Sequence, residues 1–382
     1  MDSDKKARLI EVANVFLWQG LTAFGGPAAH VALFHDQVVK RRKWVSDEEF
    51  LDLIGTTQII PGPNSSELAF YLSYKQAGWL GLIVGGVSWI LPSLAMIIAL
   101  AWGYTRYGAL PQVEWVLYAV KPVVIAIILK ALIFLGKKAV KDMWTGLLTA
   151  AVIALNLLGV ENALLLFGAG IVLVLIRGFG RDGLDQKAAL LAAPLSLPGI
   201  SAAASVSFTL ARMFFTFLKI GSLLFGSGYV LLAFLNAEFV EGLGWLTLQQ
   251  TIDGVAAGQV TPGPLSSTAS FLGFVLGGLP GALLAELGIY LPSFTLVALT
   301  WPIIPKLREK QWLGHFLDGV NAASLGLMAV VTWQLASASL VDLPAIGLGL
   351  VSAFLVFFTD VNTTFIVLGA VLFGLGRYLL SG

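Results

Sequence analysis

Long apolar runs separated by short breaks fill most of this chain. The run from Leu9 to Val39 is interrupted at Gly25-Gly26-Pro27, leaving two arms of roughly 20 Å each at 1.5 Å of helix per residue. Neither arm crosses a bilayer core of about 30 Å, and basic residues flank both ends, so this segment predicts a re-entrant hairpin, with a single kinked span as the plainer alternative. Ser46-Asp47-Glu48-Glu49 has the form of a capping box. It opens a helix near Asp47, and Pro61 ends that helix. Another short arm runs from Asn64 to about Gly78, which predicts a second hairpin with its tip at Pro61-Gly62-Pro63. Apolar helices follow at about 79–104, 113–135, 143–158 and 161–176. Beyond a connector, hairpins are expected at about 208–235 and 248–275, then helices at about 279–303, 313–336, 343–358 and 361–379.

The second half of this pattern repeats the first in residues as well as in period. Gln58-Ile59-Ile60-Pro61-Gly62-Pro63-Asn64-Ser65-Ser66 returns as Gln259-Val260-Thr261-Pro262-Gly263-Pro264-Leu265-Ser266-Ser267. At the same offset Gly20 matches Gly221, Phe24-Gly25 matches Phe225-Gly226, Trp44 matches Trp245 and Asp52 matches Asp253. After a slip of one residue, Gly81 matches Gly281, Leu91-Pro92-Ser93 matches Leu291-Pro292-Ser293 and Val120 matches Val320. A single Pro-Gly-Pro breaks a helix in any fold, whereas this set marks an internal duplication. Residues 1–176 form the first membrane repeat, 177–207 the connector and 208–382 the second repeat.

Composition fixes the class. The chain is 57% hydrophobic and only 12% charged, with mean hydropathy +0.86, against about 25% charged residues in soluble domains. An all-α polytopic membrane protein is expected. The net charge of +1 gives no bulk attraction to nucleic acid, and the absence of cysteine removes disulfides and thiolate chemistry. Lys5, Lys6 and Arg8 lead into a broken apolar run without a small-residue cleavage site, so no cleavable signal peptide is read.

The placement of charge adds an orientation. The loop carrying Lys40-Arg41-Arg42-Lys43 corresponds to one carrying Glu238 and Glu241. Lys306, Arg308 and Lys310 correspond to a loop with Arg106 alone, and Lys137, Lys138 and Lys141 to uncharged Ser337-Ala338-Ser339. Basic loops stay in the cytoplasm, so the two repeats are expected in opposite orientations, as in secondary transporters built from inverted repeats and broken helices. Four crossings in the first repeat then require one more, for which the weakly apolar stretch 188–210 is the candidate.

Several of these motifs resemble the chromate transporter (CHR) family in its long, two-domain form. In the first half they are Phe24-Gly25-Gly26-Pro27-Ala28-Ala29-His30, the Trp44 loop, the Gln58–Pro63 motif and Leu91-Pro92-Ser93. In the second they are Leu218-Lys219-Ile220-Gly221, Phe225-Gly226-Ser227-Gly228-Tyr229, the Gln259–Pro264 motif and Phe316-Leu317-Asp318-Gly319-Val320-Asn321-Ala322-Ala323. The resemblance implies a multi-pass protein of the inner (plasma) membrane. It would export chromate, with sulfate as the look-alike oxyanion, driven by the proton-motive force. It leaves a homodimer open.

The residues suggest how an oxyanion would be held. Where a helix breaks, the first N–H groups of the next segment lack partners and the helix dipole makes that end partly positive, a ready anion site. Candidate ligands at the tips are Gln58, Gly62, Asn64, Ser65 and Ser66, with Gln259, Gly263, Ser266 and Ser267 in the second copy. Gly25, Gly26, Gly226 and Ser227 offer donors from the other breaks, and Lys219 and Lys121 offer positive charge. The plainer alternative is that the glycines and prolines only shape hairpin tips and that Lys219 snorkels to an interface. Intramembrane ionisable groups are functional candidates, so Glu67, Glu286 and His30 are the candidate proton carriers. No metal site is read, because His30, His35 and His315 lack ligand spacing. No phosphate-binding glycine loop is present, so neither ATP nor any other cofactor is expected. The other readings are an anion channel, or a membrane-embedded transferase built on Asp47, Glu48, Glu49 and Asp52.

Overall fold

The computed structural model describes residues 3–24, 27–108, 110–178, 207–225, 228–300, 310–359 and 361–381. Among these residues the protein is helical throughout, without a strand. In the first half the helices are α1 (Ser3–Thr22), α2 (Pro27–His35) with a π-helical extension (Asp36–Arg41), α3 (Asp47–Thr57), α4 (Asn64–Tyr107), α5 (Pro111–Ala139), α6 (Met143–Leu157) and α7 (Asn162–Gly178). In the second half they are α8 (Leu210–Leu223), α9 (Leu231–Leu235) with a π-helical extension (Asn236–Gly242), α10 (Leu248–Val260), α11 (Thr268–Thr300), α12 (Gln311–Ser339), α13 (Leu343–Phe358) and α14 (Thr363–Ser381). Single turns at Gly228–Val230 and Leu265–Ser267 precede α9 and α11.

Local sequence sets the ends. Ser46 accepts from the Glu49 N–H and starts α3, and Thr247 and Gln250 cap α10 reciprocally. Asp142 and Asp342 accept from the N–H groups of Thr145 and Ala345 to start α6 and α13. The Thr145 N–H and the Arg177 guanidinium hold the Asp142 carboxyl at about 2. Arg177 also reaches Asp318 on α12 at 2.7 Å, which fastens the end of α7 to the second half.

One junction differs from expectation in form. The short arm starting at Asn64 and the helix expected at 79–104 are one element, α4, bent at Ala77 and Gly78. Gly78 has φ +66°, which turns the chain without a loop. Gly277 and Gly278 make the same bend in α11. The connector lies almost wholly outside the described residues.

Five helical segments among the described residues are long and apolar enough to cross a membrane: Asn64–Tyr107, Pro111–Ala139, Leu265–Thr300, Gln311–Ser339 and Thr363–Leu380. The shorter apolar helices are α6, α7 and α13. Leu80, Ile83, Val87 and Leu91 form an exposed stripe at helical spacing on α4, as do Leu279, Leu283, Leu287 and Leu291 on α11. Continuous apolar stripes of this kind are paid for in water but not in lipid, and they agree with a multi-pass membrane protein.

The two halves interleave. Helix α4 packs on α1 and α11, and α11 packs on α8. Helix α5 packs on α13 and α14 of the second half, while α12 packs on α6 and α7 of the first. Where α4 meets α11, Phe70 stacks on Phe294 with centroids 4.2 Å apart, and Tyr71 and Thr300 share a hydrogen bond of 3.1 Å.

Candidate functional site

The two Pro-Gly-Pro segments are far apart in sequence and close together in space. In each, two prolines remove N–H donors and the glycine takes a positive φ, +147° at Gly62 and +89° at Gly263. The glycine N–H groups point across the molecule. Gly62 donates to Leu224 O at 2.6 Å, and Gly263 donates to Ala23 O at 2.9 Å. Ala23 and Leu224 occupy corresponding places, just before the glycine-rich breaks. Each tip therefore clasps the first broken segment of the other half. The Leu-Pro-Ser motifs are exchanged as well. A Cβ at Gly62 would stand 1.9 Å from Ser293 Oγ, and one at Gly263 would stand 3.0 Å from Ser93 Cβ.

Between the tips lies a small, partly open cavity. Pro63, Asn64 and Ser65 line it from one tip, Pro264 and Leu265 from the other. Pro27 and His30 of α2 and Gly228 of the second break complete it. Asn64 and Ser65 form the first turn of α4, so their N–H groups have no carbonyl upstream within the helix.

His30 is buried, with its ring edge on Trp89 at 5.2 Å. Nε2 lies 3.2 Å from Ala23 O, and Nδ1 lies 3.2 Å from Ser65 Oγ. A carbonyl only accepts, so Nε2 carries hydrogen. In the neutral ring Nδ1 then accepts the Ser65 hydroxyl hydrogen. A second proton reverses that bond, because Nδ1–H donates to Ser65 Oγ and releases the hydroxyl hydrogen. The same proton places a positive charge on the cavity wall.

Beside the cavity, Tyr290 joins the two tips. Its hydroxyl hydrogen-bonds Ser266 and lies 3.4 Å from Ser66, which also accepts from Trp89 Nε1 at 3.1 Å. Ser267 donates to Pro264 O at 2.9 Å. The hydroxyls of Ser66, Ser266 and Ser267 are thus engaged within the protein, and these residues do not line the cavity. Sequence reasoning missed Tyr290, Trp89, Ser93 and Ser293 as parts of this centre. The signal was there, since the repeated Leu-Pro-Ser motif directly follows Tyr290.

Other expected residues fall in several places. Glu67 is buried one turn into α4, beside Gly62 and Ser293, and neither carboxylate oxygen has a hydrogen-bond partner of good geometry. Glu286 is buried and accepts from Ser270 at 2.5 Å. The Gln58 side chain is exposed, while the amide nitrogen of Gln259 is buried without a partner. Lys219 is held by Glu161 at 2.9 Å and Glu238 at 2.7 Å and does not line the cavity. Lys121 pairs with Asp253 at 3.4 Å. Gly25, Gly26, Gly226 and Ser227 lie outside the described residues. The acidic cluster at 47–52 is engaged at the surface in part, Asp47 by His35 and Glu49 by Lys75. Among the described residues no cluster of three or more His, Asp or Glu side chains is placed to hold a metal ion.

A helical bundle with apolar outer stripes, whose broken helices meet at a small cavity carrying a few polar groups, is the build of a membrane transport protein. The chain belongs to the chromate transporter family, whose sequence profile matches residues 10–175 and, a second time, residues 211–375. It is 33% identical over 374 residues to the chromate transport protein of Cupriavidus metallidurans, covering 97% of this chain and 93% of that one. It is 33% identical over 350 residues to the probable chromate transport protein of Synechococcus elongatus, covering 90% and 88%. The chromate transport protein of Pseudomonas aeruginosa is 30% identical over 358 residues, covering 88% and 83%. No solved structure matches the chain. These relatives are transport proteins, and the chain is not an enzyme.

Proposed function

We propose that this protein is a secondary transporter that exports chromate or a sulfate-like tetrahedral oxyanion across the inner membrane, coupled to protons. The observation that carries this reading is the meeting of both Pro-Gly-Pro tips at one cavity lined by Asn64, Ser65 and His30. The relatives' names supply the substrate class. Flux of labelled chromate and sulfate into proteoliposomes tests it. Saturable flux that an imposed pH gradient accelerates is expected. Flux that neither saturates nor responds to the pH gradient indicates a channel, and no flux of either anion refutes the reading.

The His30–Ser65 bond gives this site a pH response. Burial favours the neutral His30 ring, so its protonation, which would add charge and release the Ser65 hydroxyl, is expected to tighten oxyanion binding only at acid pH, below the ordinary imidazole range. Charge-assisted hydrogen bonds contribute about 1.5–3 kcal/mol each. Ser65→Ala is therefore expected to weaken binding about tenfold or more in a protein that still folds. His30→Gln is expected to flatten the pH dependence. Equilibrium binding of sulfate to purified variants across pH measures both, and parent-like affinity in Ser65→Ala would remove that hydroxyl from the site.

The opposed charge of corresponding loops supports opposite orientations of the two repeats, with re-entrant first segments. Single cysteines replacing Lys40 and Lys310 are expected to label from the cytoplasm only, and one replacing Glu241 from outside only. Labelling of Lys40→Cys and Glu241→Cys from one side would show the repeats to be parallel.

A further inference from the structure

A second small cavity, this one with a largely polar lining, lies among α6, α7, α9 with its π-helical extension, and α12. Asn156, Asn162, Ala233, Asn236, Glu241 and Gln334 contribute its polar lining. Asn236 is only 3% exposed. Its amide nitrogen donates to Glu241 Oε1 at 2.8 Å and to Gln334 Oε1 at 3.0 Å. A carboxylate accepts only, so these contacts fix the orientation of the amide. They leave Asn236 Oδ1 as a buried acceptor without a partner. The neighbouring amide nitrogens are also taken. Gln334 Nε2 donates to Glu241 at 3.3 Å, Asn156 Nδ2 to Asn162 Oδ1 at 2.9 Å, and Asn162 Nδ2 to Ala233 O at 3.5 Å. With these bonds made, Asn236 Oδ1 remains a spare buried acceptor, beside the carboxylate oxygens of Glu241.

We propose that this cavity binds a small monovalent cation of the sodium type. Hard cations take oxygen ligands, and divalent ions usually gather more than one carboxylate. Here Glu241 is the one carboxylate in the lining. Glu161 and Glu238 flank the lining residues, but Lys219 holds both. With Glu241 they still leave the mouth net negative, which draws a cation inward. Amide oxygens take up no proton near neutral pH, so a cage of this composition suits an alkali ion better than a proton. Ala233 also lines the cavity, and its carbonyl already accepts from the Asn236 N–H and from Asn162 Nδ2. The first half has no such site: the residues corresponding to Asn236, Glu241 and Gln334 are His35, Lys40 and Phe134. One cation site on one side of a duplicated protein would give ion coupling a direction. That consequence rests on the transporter reading above, whereas the binding site itself does not.

Thermal unfolding of the purified full chain in detergent tests the site, in sodium chloride against choline chloride at equal pH and ionic strength. Sodium is expected to raise the parent midpoint by roughly 3 °C or more. Glu241→Gln is expected to abolish the rise and to leave the choline midpoint close to the parent's, because glutamine keeps one oxygen to accept from Asn236 and Gln334 at this exposed position. Equal midpoints in sodium and choline for the parent, or a sodium rise kept by Glu241→Gln, would mean a hydrated pocket only and would overturn the proposal. Sulfate binding to the same samples is the control. A sodium rise without sulfate binding would sink the anion reading alone, and sulfate binding without a sodium rise would sink the cation site alone.

Discussion

Gly62→Val and Gly263→Val are expected to abolish transport. Two separate costs converge at each position. A β-branched residue at a φ of +147° or +89° is strained, by about 1–3 kcal/mol. The new Cβ would also collide with the facing half, at 1.9 Å from Ser293 Oγ for Gly62. At Gly263 the nearest atom is Ser93 Cβ at 3.0 Å, a tighter fit than side chains tolerate without movement. Movement at either tip stretches a bond between the halves, Gly62 N to Leu224 O or Gly263 N to Ala23 O. The cavity is built from both tips, so one displaced tip spoils the site for both. Chromate flux near background in proteoliposomes, with protein recovered in the membrane, is the expected result. Flux near the parent's in either variant would detach the tips from transport.

Glu67→Gln is expected to keep oxyanion binding and lose acceleration by a pH gradient. Glu67 is buried beside the first tip, and its oxygens have no partner of good geometry. A carboxylate so placed is costly as a fixed charge, and it would repel an anion in the neighbouring cavity. A proton carried with or against the anion removes both penalties. Glutamine has the shape of the neutral form but cannot exchange a proton. Thr268 stands at the corresponding place of the second half, so the coupling group belongs to one tip only. Glu286 is the competing carrier, and Glu286→Gln serves as the comparison. Gradient-driven flux unchanged in both variants would exclude both residues from coupling.

Much of the helical layout was legible in the sequence because the breaks are chemical. Proline and glycine at 61–63 and 262–264, and the capping residues Ser46, Thr247, Asp142 and Asp342, leave the chain few other ways to run. The junction at Gly78 was legible as a break but not as a bend, since a single glycine serves either. Residues of the candidate site were legible only where a repeated motif carried them, as with Ser65 and the tip glycines, whose chemistry is a proposal. Pairing across the halves was not, because it depends on three-dimensional packing. Lys219 reads as an unpaired cation until Glu161 and Glu238 are brought to it. Tyr290 reads as one aromatic residue among many until it bridges Ser66 and Ser266.

The account's central claim is that both tips form one oxyanion site, and substrate protection tests it most directly. The chain has no cysteine, so Ser65→Cys and Leu265→Cys each place one thiol in the cavity wall, one per tip. Sulfate is the protecting anion, since chromate oxidises thiols. Modification of each purified variant by a small thiol reagent is followed as sulfate is raised, with chloride as the control. Slowed modification of both thiols is predicted, each over the range of sulfate concentration in which that variant binds sulfate. Protection of one thiol alone, or of neither in variants that still bind sulfate, would contradict a shared site.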